Sequence, residues 1–113
     1  MKEYTVIWLE TAKENYRDIV RYLKSVMEAE AARNIFTKLV NDINQLEEFP
    51  LAKPFLPYEE YKELGVRMLI SGSYLCFYIA TGTTIEIYHI VHKSRDYCKL
   101  FVFHAGSKIS SFY

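Results

Sequence analysis

Cysteine is scarce in this chain: it appears twice in 113 residues, at Cys76 and Cys98, with no CxxC spacing. Together with an N-terminus that does not read as a secretory signal, this fits a reduced, cytoplasmic protein better than a disulfide scaffold. No apolar run approaches the ~18 residues of a membrane-spanning helix, so no membrane span is expected. The three histidines, His89, His92 and His104, fall into no HExxH or Cys/His ligand pattern. That argues against a metal site, and nothing points to a cofactor. Net charge is missing as well, because 14 basic and 14 acidic side chains cancel. The chain therefore lacks the overall basicity that favours non-specific nucleic-acid binding. Residues 50–113 are mildly basic, with seven cations against five anions, which leaves RNA contact open.

What is present is ordinary in outline and unusual in its aromatics. Half the residues are hydrophobic and a quarter are charged, as in a globular protein, and the length suits a single domain, 1–113, with two packed layers. Ten tyrosines and seven phenylalanines are a surplus for this length. Tyrosine favours strands and half-wet surfaces, so the surplus suggests either recognition or an aromatic-rich core.

Along the chain, Tyr4 to Leu9 is β-branched and aromatic and reads as a buried strand. Thr11-Ala12-Lys13-Glu14 has the form of a capping box opening a helix to about Met27. Ala12, Tyr16, Ile19, Val20, Leu23 and Met27 form its apolar stripe. A second helix is expected from about Glu28 to Glu48, with Ala32, Ile35, Phe36, Leu39, Val40, Ile43 and Leu46 as its stripe, ended by Phe49-Pro50. The break between the two is short, so an antiparallel helical hairpin follows. Lys38 and Asp42 fall off the stripe and read as solvated surface. Pro50 to Lys62 holds all three prolines and reads as an irregular connection.

Gly65 to Tyr97 then reads as three strands joined at Ser71-Gly72-Ser73 and Thr81-Gly82-Thr83, where glycine suits tight hairpins. The two-residue period puts Val66, Met68, Ile70, Leu75, Phe77, Ile79, Ile85, Ile87, His89 and Val91 on the expected core face. Arg67, Tyr74, Tyr78, Glu86, Tyr88 and His92 would share the opposite, open face. Beyond Asp96 the segment to Phe103 is apolar enough for a short helix or strand, and an irregular tail is expected from about 104.

That open face carries the chemistry of metal-free RNA cleavage, which needs proton transfer and cations around the phosphate. His92 suits an acid or base. Arg67 and Arg95 can grip phosphate oxygens in a bidentate fork. Glu86 is a further candidate base, Lys93 adds a cation, and Tyr74, Tyr78 and Tyr88 can stack on bases. Each has a plainer use too: Arg67 suits a cross-strand pair with Glu86, and the tyrosines suit cross-strand packing. His89 reads as structural, and Cys76, with no activating base nearby, as inert.

The strand followed by TAKENYRDIVRYL, the helix AARNIFTKLVNDINQLEEFP, and then GVRMLISGSYLCFYI and IEIYHIVHKSRDY together resemble the RelE/ParE superfamily of toxins from bacterial type II toxin–antitoxin modules. The resemblance covers about residues 4 to 97. It implies an α+β fold of β-α-α-β-β-β order, with a helical hairpin on one face of a mostly antiparallel sheet. It also implies growth inhibition, by ribosome-dependent mRNA cleavage as an mRNA interferase or by non-enzymatic inhibition of DNA gyrase, or else a toxin-like domain that has lost activity. The partner it implies is a cognate antitoxin, with the ribosome and mRNA, or gyrase, as target. By matched position, Arg67, His92 and Arg95 would be the active residues. Where the family's nucleases carry basic side chains, this chain has Leu69 and Leu75, and its YHIVHKSRDY ending looks more like the ParE branch.

Overall fold

A computed structural model of the chain describes residues 4–56 and 58–95, and the backbone of 101–103 and 109–111. Strand β1 (Thr5–Trp8) is followed by α1 (Glu10–Val26) and α2 (Ala29–Asn44), and a 3-10 turn at Gln45–Glu47 closes the second helix. A short helix α3 (Glu59–Leu64) leads into β2 (Val66–Ser71), β3 (Tyr74–Thr81) and β4 (Thr84–His92). The sheet order is β1-β4-β3-β2, with β1 parallel to β4 and the other pairs antiparallel. This is the β-α-α-β-β-β arrangement expected from the sequence. Phe101–Phe103 (β5) and Ile109–Ser111 (β6) pair with each other as a separate antiparallel ladder.

The capping box does not form. Leu9 donates its amide to Ile87 in 3.1 Å contact, so the strand ladder holds the chain extended through Leu9. The helix starts at once after it, Thr11 already lies inside, and the N-cap position falls to Leu9, whose side chain makes no cap hydrogen bond. Glu10 in the first turn complements the helix dipole instead. At the other helix of the chain's midsection, α3 replaces the irregular connection expected over part of Pro50 to Lys62. Gly65 ends it at φ +80°, in the left-handed conformation glycine adopts most readily.

Face assignment is where the sequence reading needs correction. Tyr74, Cys76, Tyr78 and Leu69 pack with Ala12, Leu39, Ile43 and Leu46 under the helical hairpin, together with Ile85, Ile87 and Ile90. Leu75, Phe77, Ile79, Val66 and Val91 form a second cluster on the other face, closed by Leu56 and Tyr61. Tyr74 through Ile79 are thus all buried. Alternation distinguishes a wet face from a dry one, and β3 has two dry faces, so it could not say which set met the helices. The expected open face does not exist as such. Arg67, Tyr74, Tyr78 and His92 occupy positions on the helix side, whereas Glu86 pairs in register with Ile79 and Tyr88 packs on the second cluster.

A register shift between Phe77 and Tyr78 adds to this: Phe77 lies opposite His89, and Tyr78 opposite Ile87, so Tyr88 is the extra residue. Past this bulge the parity of β4 reverses. Ile87 and Ile90 therefore share the helix face, and His89, fully buried, joins Phe77 on the other.

Candidate functional site

β1 is only four residues long and ends opposite Ile87, so among the described residues β4 beyond that point has no strand neighbour on that side. Asn15 of α1 fills the gap, accepting the Ile90 N–H at 3.0 Å. This ties α1 to β4 at Ile90, beside a groove of about 470 Å³. Asn15, Asp18, Ile19 and Tyr22 line it from the helix, and Tyr74, Ile90, Val91, His92, Ser94 and Arg95 from the sheet end. A second depression of about 410 Å³ shares Tyr22, Tyr74 and His92 with it and runs on past Val26, Lys38 and the Gly72-Ser73 turn.

His92 is exposed and stands edge-on to the Tyr74 ring, with centroids 5.6 Å apart. The Ser94 backbone N–H donates to its Nδ1 at 3.1 Å, and the Ser94 hydroxyl lies 2.8 Å from the same nitrogen. A backbone amide can only donate, so Nδ1 accepts and the ring proton sits on Nε2, facing outward from this turn. Lys93 is exposed and fixed through its backbone, donating to Ser73 O at 2.8 Å, which ties the end of β4 to the β2–β3 turn. Behind the turn, Ser71 donates to Asp42 Oδ2 at 2.7 Å while Lys38 Nζ lies 2.6 Å from the same oxygen. Asp42 is therefore an anchor between α2 and β2, not the solvated residue its sequence position suggested. Burial pushes the Asp42 carboxyl up, but hydrogen bonds from Lys38 and Ser71 and the charges of Lys38 and Lys53 outweigh it, holding it below its ordinary value.

Arg67 is elsewhere. It pairs in register with Tyr78, whereas His92 pairs with Tyr74, four residues farther along β3, or roughly 13 Å at strand spacing. The Arg67 guanidinium donates to Lys53 O at 2.7 Å and to Leu51 O at 3.3 Å, and lies 3.9 Å from the centre of the Phe55 ring. Tyr78 is fully buried and donates its hydroxyl to Pro50 O at 2.9 Å. Burial, reinforced by Cys76 and only partly offset by Arg67 and a backbone hydrogen bond at Lys53, pushes the Tyr78 phenol up to about 12. Together these two residues staple the 50–55 loop to the sheet.

Of the sequence candidates, the fold thus brings His92, Arg95, Lys93 and Tyr74 to one end, and leaves Arg67 and Tyr78 at another. Tyr88 sits on the opposite face, hydrogen-bonded to Glu86 at 3.3 Å. Burial, followed by the Glu86 charge and that hydrogen bond, raises its phenol. Cys76 is fully buried and its thiol is raised by burial. Asp96 and Tyr97, which close the sequence motif, lie outside the described residues. Sequence reasoning missed Asn15, Asp18 and Tyr22 as groove residues. Asn15 was the one with a signal: an amide between Ala12 and Ile19 on an otherwise apolar stripe.

Comparison with known proteins follows the same lines. Residues 6–97 match the family described as the ParE toxin of the type II toxin–antitoxin system, parDE. Among solved structures, the chromosomal ParDE toxin–antitoxin system of P. aeruginosa is similar at a TM-score of 0.67 and 18% identity, over 80% of this chain and 96% of that one. The toxin–antitoxin complex RelBE2 of Mycobacterium tuberculosis is similar at 0.56 and 22% identity, over 80% of this chain and 98% of that one. A sequence search of curated proteins finds no match.

Proposed function

Because the chain belongs to the ParE toxin family of type II toxin–antitoxin systems, we propose that it arrests growth by binding DNA gyrase rather than by cutting mRNA, and that a cognate antitoxin neutralises it. The observation that supports binding over cleavage is the position of Arg67. Cleavage without a metal requires a cation and a proton-transfer group around one phosphate. Here Arg67 Nη1 is engaged with two loop carbonyls and the guanidinium lies over an aromatic ring. That withdraws the strand arginine from His92, which has Arg95 and Lys93 at its own end of the sheet, and Tyr78 is buried with its proton committed to Pro50. The antitoxin reading draws on both similar structures, each of which is described as a toxin–antitoxin system or complex.

The test is to add the purified chain to two reactions, gyrase supercoiling and ribosomes programmed with mRNA. Loss of supercoiling with intact mRNA is expected. Cleaved mRNA with unaffected supercoiling would overturn the reading in favour of the mRNA interferase. Co-expression with the product of a short neighbouring reading frame should restore growth.

A further inference from the structure

The loop between α2 and β2 displays apolar side chains that a single folded chain has reason to hide. Phe49 is 62% exposed, Leu51 58% and Phe55 40%. Phe49 and Leu51 share one depression, and adjoining exposed apolar residues mark interaction surfaces. They are also held firmly. Besides the Arg67 and Tyr78 hydrogen bonds to the carbonyls of residues 50, 51 and 53, Leu56 donates to Val66 O and Met68 to Pro54 O, both at 3.0 Å. The loop is therefore paired along β2, and Phe55 forms an isolated bridge with Arg67. Beside Phe49 and Leu51 lies a depression of about 360 Å³, whose charged lining residues are Glu47 and Glu48.

From these observations we infer that Phe49, Leu51 and the adjoining Glu48 form the surface with which the toxin docks on its target, and that the matching surface on the target is an apolar socket edged by lysine or arginine. This rests on the binding reading above and gives it a contact. The physical argument is preorganisation. A folded partner cannot remodel itself around a mobile loop, so affinity depends on side chains already held in place. An antitoxin segment that folds on binding can instead adapt to a groove and does not need a rigid protrusion. The exposed Glu48 carboxylate beside the apolar pair then favours a cationic rim on the partner and disfavours an anionic one. In this arrangement Arg67 is a positioning residue for the loop and does not itself touch the target.

The experiment uses the full chain carrying Leu51→Ser or, independently, Glu48→Lys. Both positions are exposed, so the fold should tolerate either change. Growth arrest on titrated induction is the primary readout, with gyrase supercoiling, binding to co-expressed antitoxin and thermal melting measured alongside. Each variant should be weaker in growth arrest and supercoiling inhibition by about 10-fold or more, as for a central contact residue, with antitoxin binding and melting unchanged. Full growth arrest by both variants would overturn the docking surface. So would a loss that tracks antitoxin binding or melting. If the unaltered chain arrests growth without inhibiting gyrase, the gyrase assignment fails, and the variants still decide the surface through growth arrest.

Discussion

Near Pro50 the sheet draws Arg67 and Tyr78 onto backbone carbonyls, whereas near Ser73 it leaves His92, Ser94 and Arg95 around an open groove. Both ends carry an aromatic and at least one cation, so residue types alone would assign them the same role. What separates them is the backbone that each end meets. The 50–55 loop runs along an edge strand and presents carbonyls that need donors, and Arg67 Nη1 with the Tyr78 hydroxyl supplies three hydrogen bonds. At the other end, Lys93 N–H and the Ser94 amide close the turn locally, and the side chains keep their outward faces.

The largest effect that would sharpen this contrast is expected at Tyr78. Replacing it with alanine should cost about 3–5 kcal/mol through the cavity it leaves. Tyr78→Phe should cost about 1 kcal/mol for the lost hydrogen bond to Pro50. Chemical denaturation of both variants gives the two values, and near-equal costs would mean the hydroxyl, not the ring, holds the site.

Arg67→Ala comes next, at about 1–3 kcal/mol for two hydrogen bonds and the stacked Phe55 ring. Arg67→Lys should recover part of this, because both carbonyls are reached by the one nitrogen Nη1, whereas the planar guanidinium over the Phe55 ring is lost. Faster hydrogen exchange in the 50–55 loop would accompany the loss. An Arg67→Ala chain as stable as the parent would break the distinction between the two ends.

A smaller, pH-dependent effect belongs to Asp42 at the groove end. Its folded carboxyl titrates below its unfolded value of about 3.9. Its contribution is therefore complete above that pH and is lost as pH falls through the lower folded value. Asp42→Asn should flatten the acid limb of stability below about pH 4, by under about 1 kcal/mol. Melting temperature followed from pH 6 to pH 2.5 provides the check. An unchanged acid limb would mean that the Lys38–Asp42–Ser71 contact carries no linkage.

His92→Ala should be the mildest for stability, within about 0.5 kcal/mol, because the ring is exposed. Its effect on growth arrest is the useful number. Losing a proton-transfer group costs about 10²-fold or more, whereas losing one edge contact of a binding surface costs much less. A drop on the larger scale with unchanged melting would restore the nuclease reading and make the groove end catalytic.

Much of the architecture was legible because it follows from local chemistry. The two apolar stripes, the β-branched first strand and the Gly72 and Gly82 turns, at φ +58° and +55°, each declare an element from a few residues. Less of the site was legible. His92, Lys93 and Arg95 are adjacent in sequence and stay together. Arg67 was grouped with them on the assumption of one open face.

The sequence by itself determined the β-α-α-β-β-β order and the family it belongs to, because periodicity and turn residues act over short distances. Only the tertiary structure decided which face of β3 meets the helices, where β4 bulges, and that Arg67 serves a loop. Those outcomes depend on what covers each face. Leu56 and Tyr61 close the second face from a segment whose prolines hid a short helix, and a bulge of one residue reverses every side chain after it.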